Sequence, residues 1–346
     1  MFGAYTARRK IILESARAAD LRIHSHPHPL AGPDGKEIFV DFIFQNPEAS
    51  TIFLHLAGVH GPEGWLGSSI QEKLIQSIGA KYTNQSGGIG HCFVHVVNPF
   101  GMAWMRRGNA DNIDLNRNGL DFEQRALPST KFHLVAKNLA PAQFSSRWLD
   151  SLSLLVKALR LGPSTIAEAV AAGQYEAPKG IFFGGQKTSW ELKLLTSVLK
   201  ENLKQPKKMR ILDVHSGLGK FGQEILILDN ARDPHHLDHL RQIFKSKIFY
   251  SGEAGYPIHG SLGSFLTKAF PKTDVYHLTQ EFGIYDPLTT LLALLEENSR
   301  WQFGQHADPT RMRLLEKTFF PAKTTWRQSC RDLGVDRYFQ WIGAHQ

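Results

Sequence analysis

Two side chains of metal-binding type, His60 and Glu63, lie three residues apart directly after an apolar run of the chain. A zinc ion readily takes imidazole nitrogen and carboxylate oxygen, and a catalytic zinc site uses three protein ligands and keeps one position open. The adjacent Gly61 and Gly64 permit unusual backbone angles here. Because a His near a Glu at a strand end also arises by chance, this spacing predicts two ligands only if a third exists elsewhere.

His215 is the candidate for the third ligand. It lies in the segment Asp213-Val214-His215-Ser216-Gly217, which again follows an apolar run and precedes glycines. The alternative is a histidine that packs against or caps a turn, which is the favoured reading of such a segment when it stands alone. Taken with the first pair, His215 completes a set of two imidazoles and one carboxylate.

A polar segment between these two motifs contains residues suited to binding a substrate carboxylate. Arg117 and one of Arg106 and Arg107 could hold a carboxylate by paired hydrogen bonds, and Asn116 could supply an amide donor beside them. Asp114 could accept a hydrogen bond from the non-ligating nitrogen of a zinc-bound histidine. The alternative is a polar loop whose Asx turns satisfy its own backbone.

Glu281 is a carboxylate inside an apolar strand, among Tyr276, Leu278 and Phe282. Burying such a group is costly unless something charged or hydrogen-bonding faces it. A glutamate beside a metal-activated water can take the proton of that water and pass it to a leaving amine. Function is therefore the favoured interpretation of Glu281.

Strands and helices must position these residues, and the hydrophobic periodicity predicts both. The predicted strands are 37–45, 51–59, 92–97, 209–214, 224–228 and 275–282, and the predicted helices are 68–78, 145–161, 189–203, 288–303, 310–319 and 325–341. Strands that alternate with helices predict an α/β sheet covered on both faces. We see no Pro/Gly/Ser linker, so a single domain over 1–346 is expected, with the C-terminal helices of 288–346 packed on it.

The ordered motifs resemble the zinc carboxypeptidase superfamily, including its aspartoacylase-like deacylases. The similar blocks are His60-x-x-Glu63, Asp114-Leu115-Asn116-Arg117-Asn118, Asp213-x-His215-Ser216-Gly217 and Glu281-Phe282-Gly283. In detail they look most like a bacterial branch of uncharacterised metallopeptidases. The matched region, residues 55–286, is about two thirds of the chain. The resemblance implies a mixed, twisted sheet of about eight strands flanked by helices, which agrees with the pattern above.

The resemblance also implies roles for single residues. It implies that His60, Glu63 and His215 are the ligands of one zinc ion (Zn2+) per chain and that Asp114 is the partner of His60. It implies that Glu281 is the general acid and base and that Asn116 and Arg117 bind the substrate carboxylate. Arg107, or less favoured Arg106, would be the arginine that polarises the scissile carbonyl. The same ligands would accept nickel, cobalt or manganese.

Two features depart from the digestive carboxypeptidases. The interval from Arg107 to Asn116 is short and closer to that of the deacylases. The tyrosine that closes over peptide substrates has no sure equivalent. Tyr256 lies at about the right interval before Glu281 and His259 is the other candidate, while loop packing is the slightly favoured explanation of both residues.

Composition bounds the class of protein. The 346 residues are 42% hydrophobic and 21% charged with a net charge of +8, which indicates a globular chain and excludes disordered and fibrous classes. The basic residues are scattered, so we expect neither a nucleic acid nor a membrane as partner. The two cysteines, Cys92 and Cys330, cannot form a disulfide framework, and a reducing, cytoplasmic location is expected. The sequence is compatible with a homo-oligomer.

Two further histidine groups could attract a metal ion. His24, His26 and His28 alternate along an extended segment, and His235 and His239 lie four apart on an expected helix. Neither group has a carboxylate and a third ligand near a buried strand end. Both are expected to be non-functional.

The leading hypothesis is a zinc-dependent hydrolase of an amide bond next to a carboxylate-bearing residue. Its substrate would be a short peptide, for a carboxypeptidase, or an N-acyl amino acid, for an aspartoacylase-like deacylase. A hypothesis from another class is a binding module that keeps the fold and holds an acidic ligand or nucleic acid without a metal. Complete retention of the ligands and Glu281 speaks against the binding module.

Overall fold

The strands form one mixed sheet. The computed structural model describes residues 4–81, 88–123, 131–140, 147–229, 234–246, 248–250, 258–306 and 308–345. The strands are β1 (Arg22–Pro27), β2 (Phe39–Gln45), β3 (Thr51–Ala57), β4 (Ile89–His95), β5 (Lys208–Leu218), β6 (Glu224–Leu228), β7 (Ile248–Tyr250) and β8 (Asp274–Tyr285). Within the described residues their order is β1-β2-β4-β3-β5-β8-β6-β7. The prediction of a mixed sheet of about eight strands is confirmed.

Three parallel strands, β3, β5 and β8, lie side by side at the centre of the sheet. Their sequences are nearly continuous apolar runs because helices cover both of their faces. The register pairs Ala57 of β3 with Val214 of β5, and His215 with Glu281 of β8. The residues at the carboxyl ends of these strands therefore meet at one edge of the sheet.

Helices cover both faces of the sheet. The helices are α1 (Ala4–Ala18), α2 (Gly64–Lys81), α3 (Pro99–Trp104), α4 (Ala136–Leu139), α5 (Arg147–Leu161), α6 (Pro163–Ala171), α7 (Trp190–Asn202), α8 (Pro234–Phe244), α9 (Leu262–Ala269), α10 (Pro287–Gln302), α11 (Pro309–Phe319) and α12 (Thr324–Gly343). Apolar residues of α1, α2, α8 and α12 pack with one face of the sheet. Those of α7 and α9 pack with the other.

The C-terminal helix α12 belongs to the same domain as the sheet. It lies against α2, where a Cβ atom at Gly334 would come within 2.5 Å of the Cδ1 atom of Ile70. Trp341 and Tyr338 of α12 are fully buried in the cluster that contains Phe53 of β3. The single α/β domain expected from the sequence is confirmed. No helix in the described ranges is both long enough and apolar enough to span a lipid bilayer.

Several element boundaries differ from the sequence prediction. The strand predicted at 209–214 continues to Leu218, because β8 pairs with it as far as Tyr285 and overrides the local Ser-Gly turn signal. The helix predicted at 68–78 begins at Gly64. Neither α1 nor β1 was predicted: α1 buries only four side chains, and β1 is an edge strand of mixed burial.

Candidate metal and active site

His60 and Glu63 lie where the chain leaves β3 and enters α2. A 3-10 turn, Gly61–Glu63, with Pro62 in its first turn, joins the two elements. Gly61 is required here because a Cβ atom would lie 1.9 Å from the carbonyl carbon of Gly101. The turn buries both side chains and brings Nδ1 of His60 within 3.1 Å of Oε1 of Glu63.

His215 reaches the same point from β5. Its Nδ1 atom is 2.8 Å from Oε2 of Glu63, and its ring centroid is 4.9 Å from that of His60. One ligand atom from each of the three buried side chains lies within 4.8 Å of the others. Among the described residues this is the one group of three His, Cys, Asp or Glu side chains with such spacing.

Each imidazole turns one nitrogen toward Glu63 and the other toward an aspartate. Nε2 of His60 is 3.1 Å from Oδ1 of Asp114, and Nε2 of His215 is 2.9 Å from Oδ2 of Asp213. A carboxylate at Nε2 favours the tautomer that carries its proton there. Both rings therefore present Nδ1, with its lone pair, to the shared centre when they are neutral.

The charged groups at this centre shift the pKa values of one another. Burial acts to raise the pKa of Glu63, but the imidazoles of His60 and His215 outweigh it and lower that pKa. Burial acts to lower the pKa of His215, but the carboxylates of Asp213 and Glu63 raise it well above its usual value. Carboxylates around these rings thus create a site that attracts positive charge, and a divalent cation competes for it with protons.

The geometry and the donor set fit a zinc ion. Two nitrogens and one carboxylate are the ligands of many catalytic zinc sites. A tetrahedral zinc ion with bonds of about 2.1 Å holds its ligand atoms about 3.4 Å apart. Glu63 meets the two rings through different oxygens, Oε2 at 2.8 Å from His215 and Oε1 at 3.1 Å from His60, so these contacts must lengthen when an ion takes their place.

Glu281 lies beside the three candidate ligands. It is the register partner of His215 on the adjacent strand, and the backbone N–H of Leu218 donates to its Oε1 over 3.0 Å. Burial, followed by the negative charge of Glu63, raises the pKa of Glu281 to about 8. A carboxyl group with a pKa near neutrality can both accept and donate a proton.

The two adjacent arginines point to different places. Arg107 donates from Nε to Oδ2 of Asp114 over 2.9 Å, and its Nη1 is 3.6 Å from Glu63. Arg106 is fully buried away from the centre, where it contacts Glu297 at 3.0 Å and lies over the ring of Trp301. The structure therefore brings Arg107, and not Arg106, to the candidate ligands.

Arg106 shares its carboxylate partner, Glu297, with a second buried arginine. Arg311 of α11 contacts the same oxygen of Glu297 at 3.0 Å, so this carboxylate serves two arginines. Arg106 also donates to the side chains of Asn112 and Asn298. Arg106 thus ties α10 and α11 to the polar segment that leads into the site.

Asn116 and Arg117 lie on a 3-10 turn, Leu115–Arg117, which Asp114 caps. Oδ1 of Asn116 accepts from the backbone N–H of Leu262 over 3.0 Å, which leaves its amide group to donate. Arg117 is buried and donates to the backbone carbonyls of Ala171 and Asn116. The positive charge of Arg117 is one of the groups that lower the pKa of Asp114, after Arg107 and His60.

The sequence offered Tyr256 and His259 as candidates to close over a substrate. Tyr256 lies outside the described residues. His259 is described, and its backbone N–H donates to the carbonyl of Ala172.

Of the two further histidine groups, the first begins on the edge strand β1, where His24 and His26 lie against Phe44 and Phe42. Nε2 of His28 is 3.7 Å from Oε1 of Glu191. In the second group, the side chain of His235 is not among those that the structure describes.

Three residues of this region have no role in the sequence prediction. Asp213 is two residues before His215, and alternation along a strand places both side chains on one face, so this partner could have been found. His277 approaches Asp213 from β8, 3.6 Å away, and only the strand register reveals it. Phe182, with φ of 56°, lies 5.1 Å from the guanidinium of Arg107 and 5.8 Å from that of Arg117.

This fold, with its candidate ligands at the carboxyl ends of central parallel strands, is that of the zinc carboxypeptidases. Bovine thrombin-activatable fibrinolysis inhibitor, in complex with tick carboxypeptidase inhibitor, is similar with a TM-score of 0.51 at 11% identity, over 99% of this chain and 97% of that one. At this identity the likeness shows the fold. The chain belongs to the family described as "Protein of unknown function (DUF2817)", whose model matches residues 3–331.

Two further solved structures are similar at lower scores. One is a metallo-carboxypeptidase from Pseudomonas aeruginosa, with 13% identity and a TM-score of 0.46 over 98% of this chain and 69% of that one. The other is the murein-tripeptide amidase of Escherichia coli O157, with 16% identity and a TM-score of 0.41 over 84% of this chain and 91% of that one. No curated protein matches the sequence.

Proposed function

We propose that the protein is a zinc-dependent hydrolase of the carboxypeptidase type, which cleaves an amide bond next to a residue with a free carboxylate. The observation that carries the proposal is the convergence of His60, Glu63 and His215 on one point, with Glu281 on the adjacent strand. Because one fold can host unrelated functions, the proposal rests on these side chains rather than on the fold.

His60, Glu63 and His215 would hold the metal ion. When bound, zinc supplies a Lewis acid that polarises a carbonyl oxygen and makes water a stronger acid. Glu281 moves the proton: the N–H of Leu218 fixes one of its oxygens, and the second oxygen takes a proton from the water that adds to the carbonyl carbon and gives it to the amine nitrogen as the C–N bond breaks. Burial raises the pKa of this carboxyl group, and the charge of a bound ion would oppose that rise and favour the ionised form that accepts the proton.

The arginines and Asn116 bind and orient the substrate. Arg107 is held by Asp114 and directs Nη1 toward the centre, where it can donate to the carbonyl oxygen of the bond that breaks. The amide of Asn116 and the guanidinium of Arg117 are suited to a carboxylate. Fixing both ends of the substrate places the amide bond beside Glu281.

A second candidate is an N-acyl amino acid deacylase of the aspartoacylase-like class. The short interval from Arg107 to Asn116 favours it, because this interval is closer to that of the deacylases than to that of the digestive carboxypeptidases.

The test is amine release by the zinc-loaded protein from a panel of C-terminal dipeptides and N-acyl amino acids. We expect turnover of at least one class, and Glu281→Gln should reduce kcat by about 10²- to 10⁴-fold while it retains the metal. Turnover of N-acyl amino acids alone would select the deacylase. If no substrate with a free carboxylate is cleaved, or if Glu281→Gln is fully active, the proposal is wrong.

A metal analysis separates this proposal from the binding module. The hydrolase requires about one zinc ion per chain, and activity must be lost when the zinc is removed and recovered when it returns. A binding module predicts salt-sensitive ligand binding that continues without metal.

A further inference from the structure

Asp213 is a buried carboxylate directly behind a candidate metal ligand. It is 0% exposed, and its Oδ2 atom is 2.9 Å from Nε2 of His215. The two residues are two apart on β5, so their side chains share one face of the strand. A buried carboxylate stays ionised only when positively charged groups or hydrogen-bond donors contact it. His215 is one such partner.

His277 is the second partner of Asp213. It is also 0% exposed, and its Nε2 is 3.6 Å from Oδ2 of Asp213. Its other ring nitrogen, Nδ1, is 3.9 Å from Oδ2 of Asp229, which follows β6. The backbone N–H of Asp229 donates to the carbonyl of His277 over 3.0 Å. The side chains thus alternate between imidazole and carboxylate from His215 to Asp229.

The first turn of α9 closes this array. The N–H of Gly263 donates to Oδ2 of Asp229 over 3.0 Å. A Cβ atom at Gly263 would lie 2.6 Å from that oxygen and 2.9 Å from Cγ of His277, so no side chain fits. The preceding N–H, that of Leu262, is the one that orients Asn116. One helix turn therefore supports both the array and the proposed carboxylate-binding residue.

We propose that Asp213, supported by His277 and Asp229, is a positioning residue for the metal centre: its carboxylate, in ion-pair contact with Nε2 of His215, favours the tautomer with the proton on that nitrogen and so holds Nδ1 of the ring toward the ion. The proposal rests on the proposed function in that it takes His60, Glu63 and His215 as metal ligands. Asp114 makes the equivalent contact to His60, so each ligand imidazole has its own carboxylate. Carboxylates in this role orient the ring and increase its basicity.

The test compares Asp213→Asn with the wild-type protein in two measurements: the zinc dissociation constant, by competition with a chelator, and the visible absorption of the cobalt-substituted protein. We expect zinc to bind about 10- to 100-fold more weakly to Asp213→Asn. The cobalt spectrum should also change, because a misoriented ring alters the coordination geometry.

Asp41→Asn is the matched control. Asp41 lies on β2 and is likewise 0% exposed, but it forms an ion pair with Arg9 of α1. Two strands, β4 and β3, separate β2 from the strand β5 that carries His215. If Asp213 only stabilises the fold, both variants lose stability and both keep wild-type zinc affinity and cobalt spectrum. That outcome would overturn the proposal.

His277→Phe is the second variant, in case Asp213→Asn does not fold. The change keeps an aromatic ring but removes both nitrogens, so we expect a smaller loss of zinc affinity, of several fold. Unchanged affinity and an unchanged cobalt spectrum in this variant would contradict the role of His277. Wild-type zinc binding without any amide hydrolysis would refute the proposed function and leave this inference intact. Absence of stoichiometric zinc or cobalt binding by the wild-type protein would overturn the inference.

Discussion

The substitution His55→Phe tests how the protein responds to acid. His55 of β3 is 0% exposed, and neither of its ring nitrogens has a hydrogen-bond partner among the described residues. Burial lowers the pKa of His55 to about 3, against 6.5 for the ordinary side chain. The folded protein thus holds this ring neutral, whereas the unfolded chain takes up a proton below pH 6.5.

The sign and size of the effect follow from proton linkage. A base with a lowered folded pKa contributes stability that is present above pH 6.5 and is lost as the pH falls below it. Between pH 7 and pH 5 one such ring costs about 1.9 kcal/mol of unfolding free energy, whatever its folded pKa below about 4. His95 and His91, whose pKa values burial lowers to about 3 and about 4, act in the same direction.

Three such rings together cost about 5–6 kcal/mol at pH 5, which is comparable to the whole stability of many domains. The assay is urea denaturation of the wild-type protein and of His55→Phe at both pH values. Because the two proteins share every other titrating group, the difference between them isolates His55. We expect the variant to lose about 1.9 kcal/mol less than the wild-type protein on going from pH 7 to pH 5.

The control is His133→Gln, at an exposed position, which should leave the pH dependence unchanged. If His55→Phe and the wild-type protein lose the same unfolding free energy between pH 7 and pH 5, His55 is not held neutral and the reasoning from its burial is refuted.

Two further predictions concern packing around the site. Glu297→Gln should lower the unfolding free energy by about 3–5 kcal/mol in urea denaturation, because two buried guanidiniums share its oxygen and would remain without a carboxylate; a loss below about 1 kcal/mol would contradict this. Gly61→Ala should destabilise the protein by about 1–3 kcal/mol or more and weaken zinc binding, because its Cβ atom would overlap the backbone of Gly101. Gly343→Ala, which meets nothing within 4 Å, is the control and should be close to neutral in both measurements.

Much of the fold could be predicted from the sequence because the central strands are long apolar runs. β3 is an example: from Ile52 to Ala57 every residue is buried, and His55 is the one polar residue in that stretch. The edge strand β1 and the helix α1 carry weak patterns, since each buries few side chains, and they were missed. The true end of β5 depends on its pairing with β8, which a local turn signal cannot reveal.

The candidate site, like the fold, could be predicted only in part from the sequence. His60 and Glu63 are close in the chain, and His215 follows a second apolar run and fits the resemblance, so the sequence could nominate the set that the structure brings together. The choice between Arg106 and Arg107 could not be made from adjacency, because it depends on Glu297, about 190 residues later. His277 likewise acquires its place beside Asp213 only through strand register.

The most direct test of the central claim is a crystal structure of the zinc-loaded protein, with the metal located by anomalous scattering at the zinc edge. We expect one ion per chain, bonded at about 2.1 Å to Nδ1 of His60, to a carboxylate oxygen of Glu63 and to Nδ1 of His215. An ion bound elsewhere, or no anomalous signal at these three side chains in protein that contains stoichiometric zinc, would contradict it.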